Sequence, residues 1–302
     1  RNLANAIHEG GALASVELDH GGCLSGPEFL HGRNAKGPSS FTDEWGDTCD
    51  EMTEEDILHA ADMYAQAALN AKTYGFDMVM LHAGHGWLIH QFISPITNKR
   101  TDKWGGSLEN RLRFLNLVVD KVRAAVGPRF PIDIRISGSE RIEGGYGIET
   151  GIEIARAVDG KVDLIHVSAG TQEVPYSAIL MHPSIFQKPG ENSGLAAEIK
   201  KHVKTPVCTV GAFSDPAFME QYMEETGVDC IAMGRQLIAD PFFPKKLMRG
   251  EEREITPCLR CTECLSGLIH NQRIHCSVNP IIGREDQFFQ PRPVNHPGRT
   301  VL

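Results

Sequence analysis

Two sets of residues have the types and spacing to do chemistry. In "HAGHGWLIHQF", His82 and His85 stand beside Gly84, Gly86 and Trp87, directly after the apolar run "FDMVML". Two imidazoles at a strand end can aim N–H donors at one point, polarising a carbonyl or holding a carboxylate where negative charge develops. Zinc is the rival reading, but the stretch offers no clear third ligand. The second set is Cys258, Cys261, Cys264 and Cys276, crowded together while Cys23, Cys49, Cys208 and Cys230 are scattered. In a reducing compartment, crowded thiols read as metal ligands rather than disulfides. Cys208 and Cys230 lie inside apolar runs and read as small buried hydrophobes, while Cys23 and Cys49 carry no assignment.

The elements that must position these residues follow from periodicity. Short apolar runs at 12–18, 76–82, 131–137, 162–168, 206–211 and 229–234 have the pattern of strands buried on both faces. Helical spacing fills the gaps. Thr53 with Asp56 opens one helix, whose face carries Ile57, Ala60, Tyr64, Ala67 and Ala71. Ser107 opens another, which Gly127-Pro128 stops. Thr150 with Glu153, and Ser214 before Pro216, mark further helix starts. Alternating strands and helices predict parallel strands with crossover helices, in a closed barrel or an open doubly wound sheet. The last two strands end in "TVGAF" and "AMGRQ", where Gly211 and Gly234 free backbone N–H groups for a phosphate and Arg235 adds charge. A phosphate site after the final strands is the habit of the eight-stranded barrel. Only six strands precede the cysteines, so the two that would close the barrel are expected upstream.

At "HAGHGWLIHQFISPITNKRTDKWGGSLENRLRF" the chain resembles the old yellow enzyme family of NADH:flavin oxidoreductases, and the likeness extends through "RISGSE", "VSAGT", "TVGAF" and "AMGRQLIADP". The resemblance implies a TIM (β/α)8 barrel binding FMN, with Arg135 facing the flavin pyrimidine and Gly211, Gly234 and Arg235 on its phosphate. The family has glutamine where this chain has Glu17, a flavin contact that can accept from N3–H but not donate to a flavin oxygen. The family's proton-donating tyrosine falls where this chain has Trp87. Indole N–H is not a usable acid, which leaves Tyr176, His85 or an ordered water. The tail "PCLRCTECLSGLIHNQRIHCSVNP" is similar to the iron–sulfur branch that contains 2,4-dienoyl-CoA reductase, enoate reductase and trimethylamine dehydrogenase. Four thiolates so spaced suit a 4Fe-4S cluster, since structural zinc usually takes two separated pairs.

Composition narrows the class. The 302 residues, 41% hydrophobic with net charge -9, offer no basic stripe for nucleic acid. No apolar run is long enough to cross a membrane, and no signal-peptide layout opens the chain, so a cytoplasmic protein is expected. The predicted organisation is an FMN barrel over residues 1–250, incomplete at its N-terminal side, an iron–sulfur segment over 251–286, and a linker over 287–302 toward a dinucleotide-binding domain outside this chain. The predicted activity is reduction of an activated C=C bond by hydride from reduced FMN, with NAD(P)H electrons arriving through FAD and the cluster. The substrate is a small unsaturated molecule, and a homo-oligomer is allowed. Oxidative amine dealkylation and a non-catalytic flavin electron-transfer subunit are the alternatives.

Overall fold

The computed structural model describes residues 1–42, 46–172, 174–269 and 272–288. Two compact units are present. The first comprises Arg1–Phe213 with Ala217–Ala232, and the second Ser214–Pro216 with the residues from Met233 onward.

All six expected strands form. They are β1 (Ser15–Leu18), β2 (Met78–Ala83), β3 (Ile132–Ser137), β4 (Leu164–Ser168), β5 (Val207–Val210) and β6 (Cys230–Ala232), in one six-stranded sheet whose spatial order is the chain order. Every neighbouring pair is parallel, with Leu18 opposite Leu81, His82 opposite Arg135, and Arg135 opposite His166. Val79, Leu81, Ile132, Ile134, Ile165 and Val207 are fully buried, as strands covered on both faces require. Among the described residues the sheet is open, and its edge strands β1 and β6 each pair on one side only. The first unit therefore contains six parallel strands of an open, barrel-like α/β sheet.

Helices cover the outside of the sheet. Thr53 caps α1 (Glu54–Thr73) in a complete capping box with Asp56. The alanine-rich face of α1 lies against α3 (Arg113–Val126), which follows the short α2 (Leu88–Ile93) and buries Phe114, Leu115, Val118, Val119 and Val122. Ser107 accepts from Asn110 N–H as expected, but the helix it opens ends at Arg111, and α3 begins afresh after Leu112. Gly127 stops α3 at φ 83°. One helix start is corrected. The helix α4 (Ile148–Val158) begins after Gly147, whose extended backbone ends the preceding loop without a side-chain cap, so Thr150 sits inside the helix.

A small three-stranded sheet of Ala35–Gly37, Phe41–Thr42 and Thr48–Glu51 was not foreseen. Its central strand carries Cys49, which forms a disulfide with Cys23, Cα–Cα 5.3 Å, a pairing of the two cysteines that carried no assignment. Gly37 makes the approach possible, because a Cβ there would lie 2.2 Å from Cys23 Sγ.

In the second unit short helices, Arg235–Ala239, Phe243–Met248 and Glu263–Ile269, are tied by polar side chains. Asp240 accepts from Lys246 Nζ at 2.7 Å and Thr256 N–H at 2.9 Å. The linker expected over 287–302 lies outside the described residues beyond position 288. Among the described residues, no helix is long and apolar enough to cross a membrane.

Candidate active site

The histidine pair sits where β2 ends. His82 and His85 are both about 5% exposed or less, with ring centroids 4.9 Å apart and nearly perpendicular planes. His82 Nε2 lies 3.2 Å from His85 Nδ1. Burial, reinforced by the Arg135 guanidinium, pushes His82 down to about 2 and holds His85 well below the ordinary imidazole value, so both rings are neutral.

A neutral imidazole has one donor and one acceptor, and the surroundings assign them. Gly84 N–H donates to His82 Nδ1 at 3.3 Å, which leaves the proton of His82 on Nε2, directed at His85 Nδ1. His85 then carries its proton on Nε2, 2.7 Å from Ser168 Oγ. The sequence expectation is of two N–H donors aimed at one point; here the rings lie side by side and each N–H is given to a protein neighbour.

The backbone that holds the pair is unusual. His85 adopts φ 61°, a left-handed conformation uncommon for a residue with a Cβ, and Gly86 follows at φ 90°. Hydrogen bonds on every side enforce it. His85 N–H donates to Ser137 Oγ at 3.1 Å, and Gln172 N–H donates to His85 C=O at 3.2 Å. The next peptide is clamped by α2: Gly86 N–H donates to His90 Nδ1 at 3.0 Å, and Gln91 Nε2 donates to Gly86 C=O at 2.7 Å. His90, neutral because burial lowers it to about 3, donates from Nε2 to Tyr146 Oη at 2.8 Å, and Tyr146 donates to Ser137 C=O at 2.9 Å. Gly84 is needed for close approach, since a Cβ there would stand 3.0 Å from Ser137 N.

Glu17, at the end of β1, links the pair to Arg135. Its Oε1 is 3.7 Å from His82 Nε2 and 3.5 Å from Arg135 Nη1. Arg135 Nε is buried without a hydrogen-bond partner, a donor held ready for a group not contributed by the chain. Trp87 is half-buried, its indole edge-on to His82 at 6.2 Å between centroids. Tyr176 lies in the first turn of the helix Pro175–Met181 and is 65% exposed, with no described contact to either imidazole.

Gly211, after β5, has φ 143°, and Ala212 follows at φ 59°, so the chain turns there through two successive positive-φ residues. Gly234 and Arg235 belong to the second unit, where Gly234 precedes the helix Arg235–Ala239. Arg235 lines one cavity with all four crowded cysteines, Cys258, Cys261, Cys264 and Cys276. Gln236 fixes the approach by accepting from Cys258 N–H at 2.9 Å and donating to Thr256 C=O at 3.0 Å. The Ser277 hydroxyl and the Glu263 N–H lower the Cys261 thiol, whereas burial raises Cys264 against the pull of Arg235. Among the described residues no set of three His, Cys, Asp or Glu is placed to hold a single metal ion.

Two residues of the site escaped sequence reading. Ser137 and Ser168 end β3 and β4 in register with one another and hold the backbone and ring of His85. The signal was the serine closing each apolar run in "IDIRIS" and "LIHVS".

Comparison with known proteins places this geometry. The model of the NADH:flavin oxidoreductase / NADH oxidase family matches residues 1–254. The NADH oxidase of Thermoanaerobacter brockii is 40% identical over 95% of this chain and 44% of its own length. The cinnamate reductase of Clostridium sporogenes is 35% identical over 80% of this chain and 39% of its own. The structure of a 2-naphthoyl-CoA reductase in complex with 2-naphthoyl-CoA superposes with TM-score 0.87 and 34% identity, over 94% of this chain and 45% of that one. The chain thus spans well under half the length of each of these three proteins.

Proposed function

Because this chain belongs to the NADH:flavin oxidoreductase / NADH oxidase family, we propose that it is the FMN-binding catalytic part of a cytoplasmic reductase of activated C=C bonds. The observation that carries this reading is the buried, neutral His82–His85 pair beside Glu17 and Arg135. The likeness to a cinnamate reductase and a naphthoyl-CoA reductase supports a conjugated carbonyl or carboxylate as the group the pair receives.

Arg135, with its unpartnered Nε, Glu17 and the backbone after Gly211 would hold the FMN. Bound and reduced, FMN supplies the hydride. His82 and His85 take the substrate oxygen, so that charge arriving there as the β-carbon gains hydride meets N–H donors in a dry site. Both rings stay neutral, so they stabilise the oxyanion by hydrogen bonding and do not protonate it. Trp87 walls the pocket. The α-carbon proton comes from ordered water or from Tyr176, whose exposure places it in reach of solvent.

Cys258, Cys261, Cys264 and Cys276 would hold a 4Fe-4S cluster, which transfers single electrons when present. Their common cavity supports the fit, and four thiolates crowded in one short segment favour a multi-iron group over zinc, which usually takes two separated pairs. NAD(P)H as electron source, and an FAD on residues beyond this chain, complete the reading. The relatives' names and greater length support it.

The test is anaerobic incubation of the FMN-loaded protein and NAD(P)H, or dithionite, with cinnamate, crotonate and an enoyl thioester. Mass spectrometry should find the dihydro product of at least one. Flavin reduction by a tertiary amine, with every enoate recovered unchanged, would replace this reading with amine dealkylation.

A further inference from the structure

We propose that Ser168 is a positioning residue that sets the tautomer of His85, accepting from its Nε2–H in the free site and donating to Nε2 when substrate is bound. The assignment rests on the ene-reductase reading of the His82–His85 pair and extends it to Ser168, which closes β4.

The geometry requires such a device. In the free site, His82 spends its Nε2–H on His85 Nδ1, 3.2 Å away, and His85 spends its own on Ser168 Oγ, 2.7 Å away. Two donors can meet one substrate oxygen only if His82 turns its Nε2–H from His85 to that oxygen and His85 carries its proton on Nδ1. His85 Nε2 then becomes an acceptor, 1% exposed Ser168 being its partner there. A buried acceptor left without a donor costs as much as a lost hydrogen bond. A hydroxyl solves this, because one rotation converts it from acceptor to donor. The change moves one proton between the two ring nitrogens by exchange with solvent and leaves the ring neutral.

His82 has no comparable freedom. Its Nδ1 accepts from the Gly84 N–H, a main-chain donor that cannot reverse. His90 is locked in the same way by the Gly86 N–H. Of the three buried imidazoles at this strand end, His85 alone meets a hydroxyl at one nitrogen and a second imidazole at the other.

The experiment uses FMN-loaded, oxidised protein with nitrogen-15-labelled histidine, to which cinnamate is added without reductant. Wild-type His85 should report protonated Nε2 before addition and protonated Nδ1 after it. Ser168→Ala should keep its FMN, unfold at a lower midpoint because the buried His85 Nε2–H loses its acceptor, and bind cinnamate on the order of tenfold more weakly, the weight of one buried hydrogen bond. Ser168→Thr, which restores the hydroxyl, should recover most of that affinity, whereas Ser168→Cys should not. The assignment is overturned if His85 carries its proton on Nδ1 before ligand is added, if it stays on Nε2 in the complex, or if Ser168→Ala binds as tightly as wild type. A wild-type protein that neither binds nor reduces cinnamate, crotonate or an enoyl thioester overturns the proposed function instead, and this assignment with it.

Discussion

In the proposed reading His82 offers the substrate an N–H that neither Glu17 nor Arg135 can replace, because one is an acceptor and the other would face the FMN. His82→Ala should therefore lower kcat/KM for enoate reduction by about 3 kcal/mol, in the range measured for loss of one oxyanion donor, with FMN retained. Trp87→Phe should keep most turnover, since the indole edge packs on His82 and has no acid to give. Steady-state assays of the two variants side by side check both statements. The neutral rings also shape stability. Burial holds His82, His85 and His90 below the unfolded value of 6.5, so below that pH the unfolded chain takes up protons that the folded one refuses. Their contribution is complete above about pH 6.5 and is lost as pH falls, at up to about 1.4 kcal/mol per pH unit for each ring. Urea unfolding at several pH values should show this fall beginning above the range where carboxylates act. Histidine identity and spacing were legible in the sequence. Tautomers were not, because that of His85 depends on Ser168, which reaches it only where the ends of β2 and β4 meet.

Elements that build the site were legible where their signal is local. Six apolar runs became six parallel strands, and Thr53 and Gly127 bounded their helices, because burial on both faces and capping chemistry are written in consecutive residues. Ala35–Gly37 and Phe41–Thr42 were not read as strands, being too short for a period to show. Their partner Thr48–Glu51 holds Cys49 to Cys23, a pairing set by tertiary approach over a separation of 26 residues. Thr150 misled because a threonine followed by glutamate imitates a cap, while the helix had already begun after Gly147. The left-handed His85-Gly86 turn gives the element-scale prediction. A Cβ on Gly86 would meet Thr171 Oγ1 at 2.9 Å and hold φ 90° against its preference. Gly86→Ala should cost about 1–3 kcal/mol in denaturant unfolding and weaken enoate binding, whereas Gly106→Ala, at φ 78° with open space around it, should cost only the backbone strain and leave binding unchanged.

At the scale of the molecule, an open six-stranded, barrel-like sheet carries the histidine pair, and a separate compact unit carries the cysteines. Anaerobically prepared protein should contain iron and sulfide at about four each per chain, as a cubane requires, with no stoichiometric zinc. Cys261→Ser should lose the iron and keep the FMN, because Cys261 belongs to the second unit while Glu17, Arg135 and Gly211 belong to the first. Plasma emission analysis and the flavin spectrum decide this together. Hydride delivery to an enoate held by His82 and His85 is read out by single-turnover reoxidation. FMN-loaded protein is reduced with dithionite, freed of excess reductant and mixed anaerobically with cinnamate while flavin absorbance is followed. Wild type should regain its oxidised spectrum with one dihydro product formed per flavin, and His82→Ala should do so on the order of a hundredfold or more slowly. A wild-type flavin that stays reduced with cinnamate, crotonate and an enoyl thioester, yet reoxidises promptly in oxygen, would contradict the account.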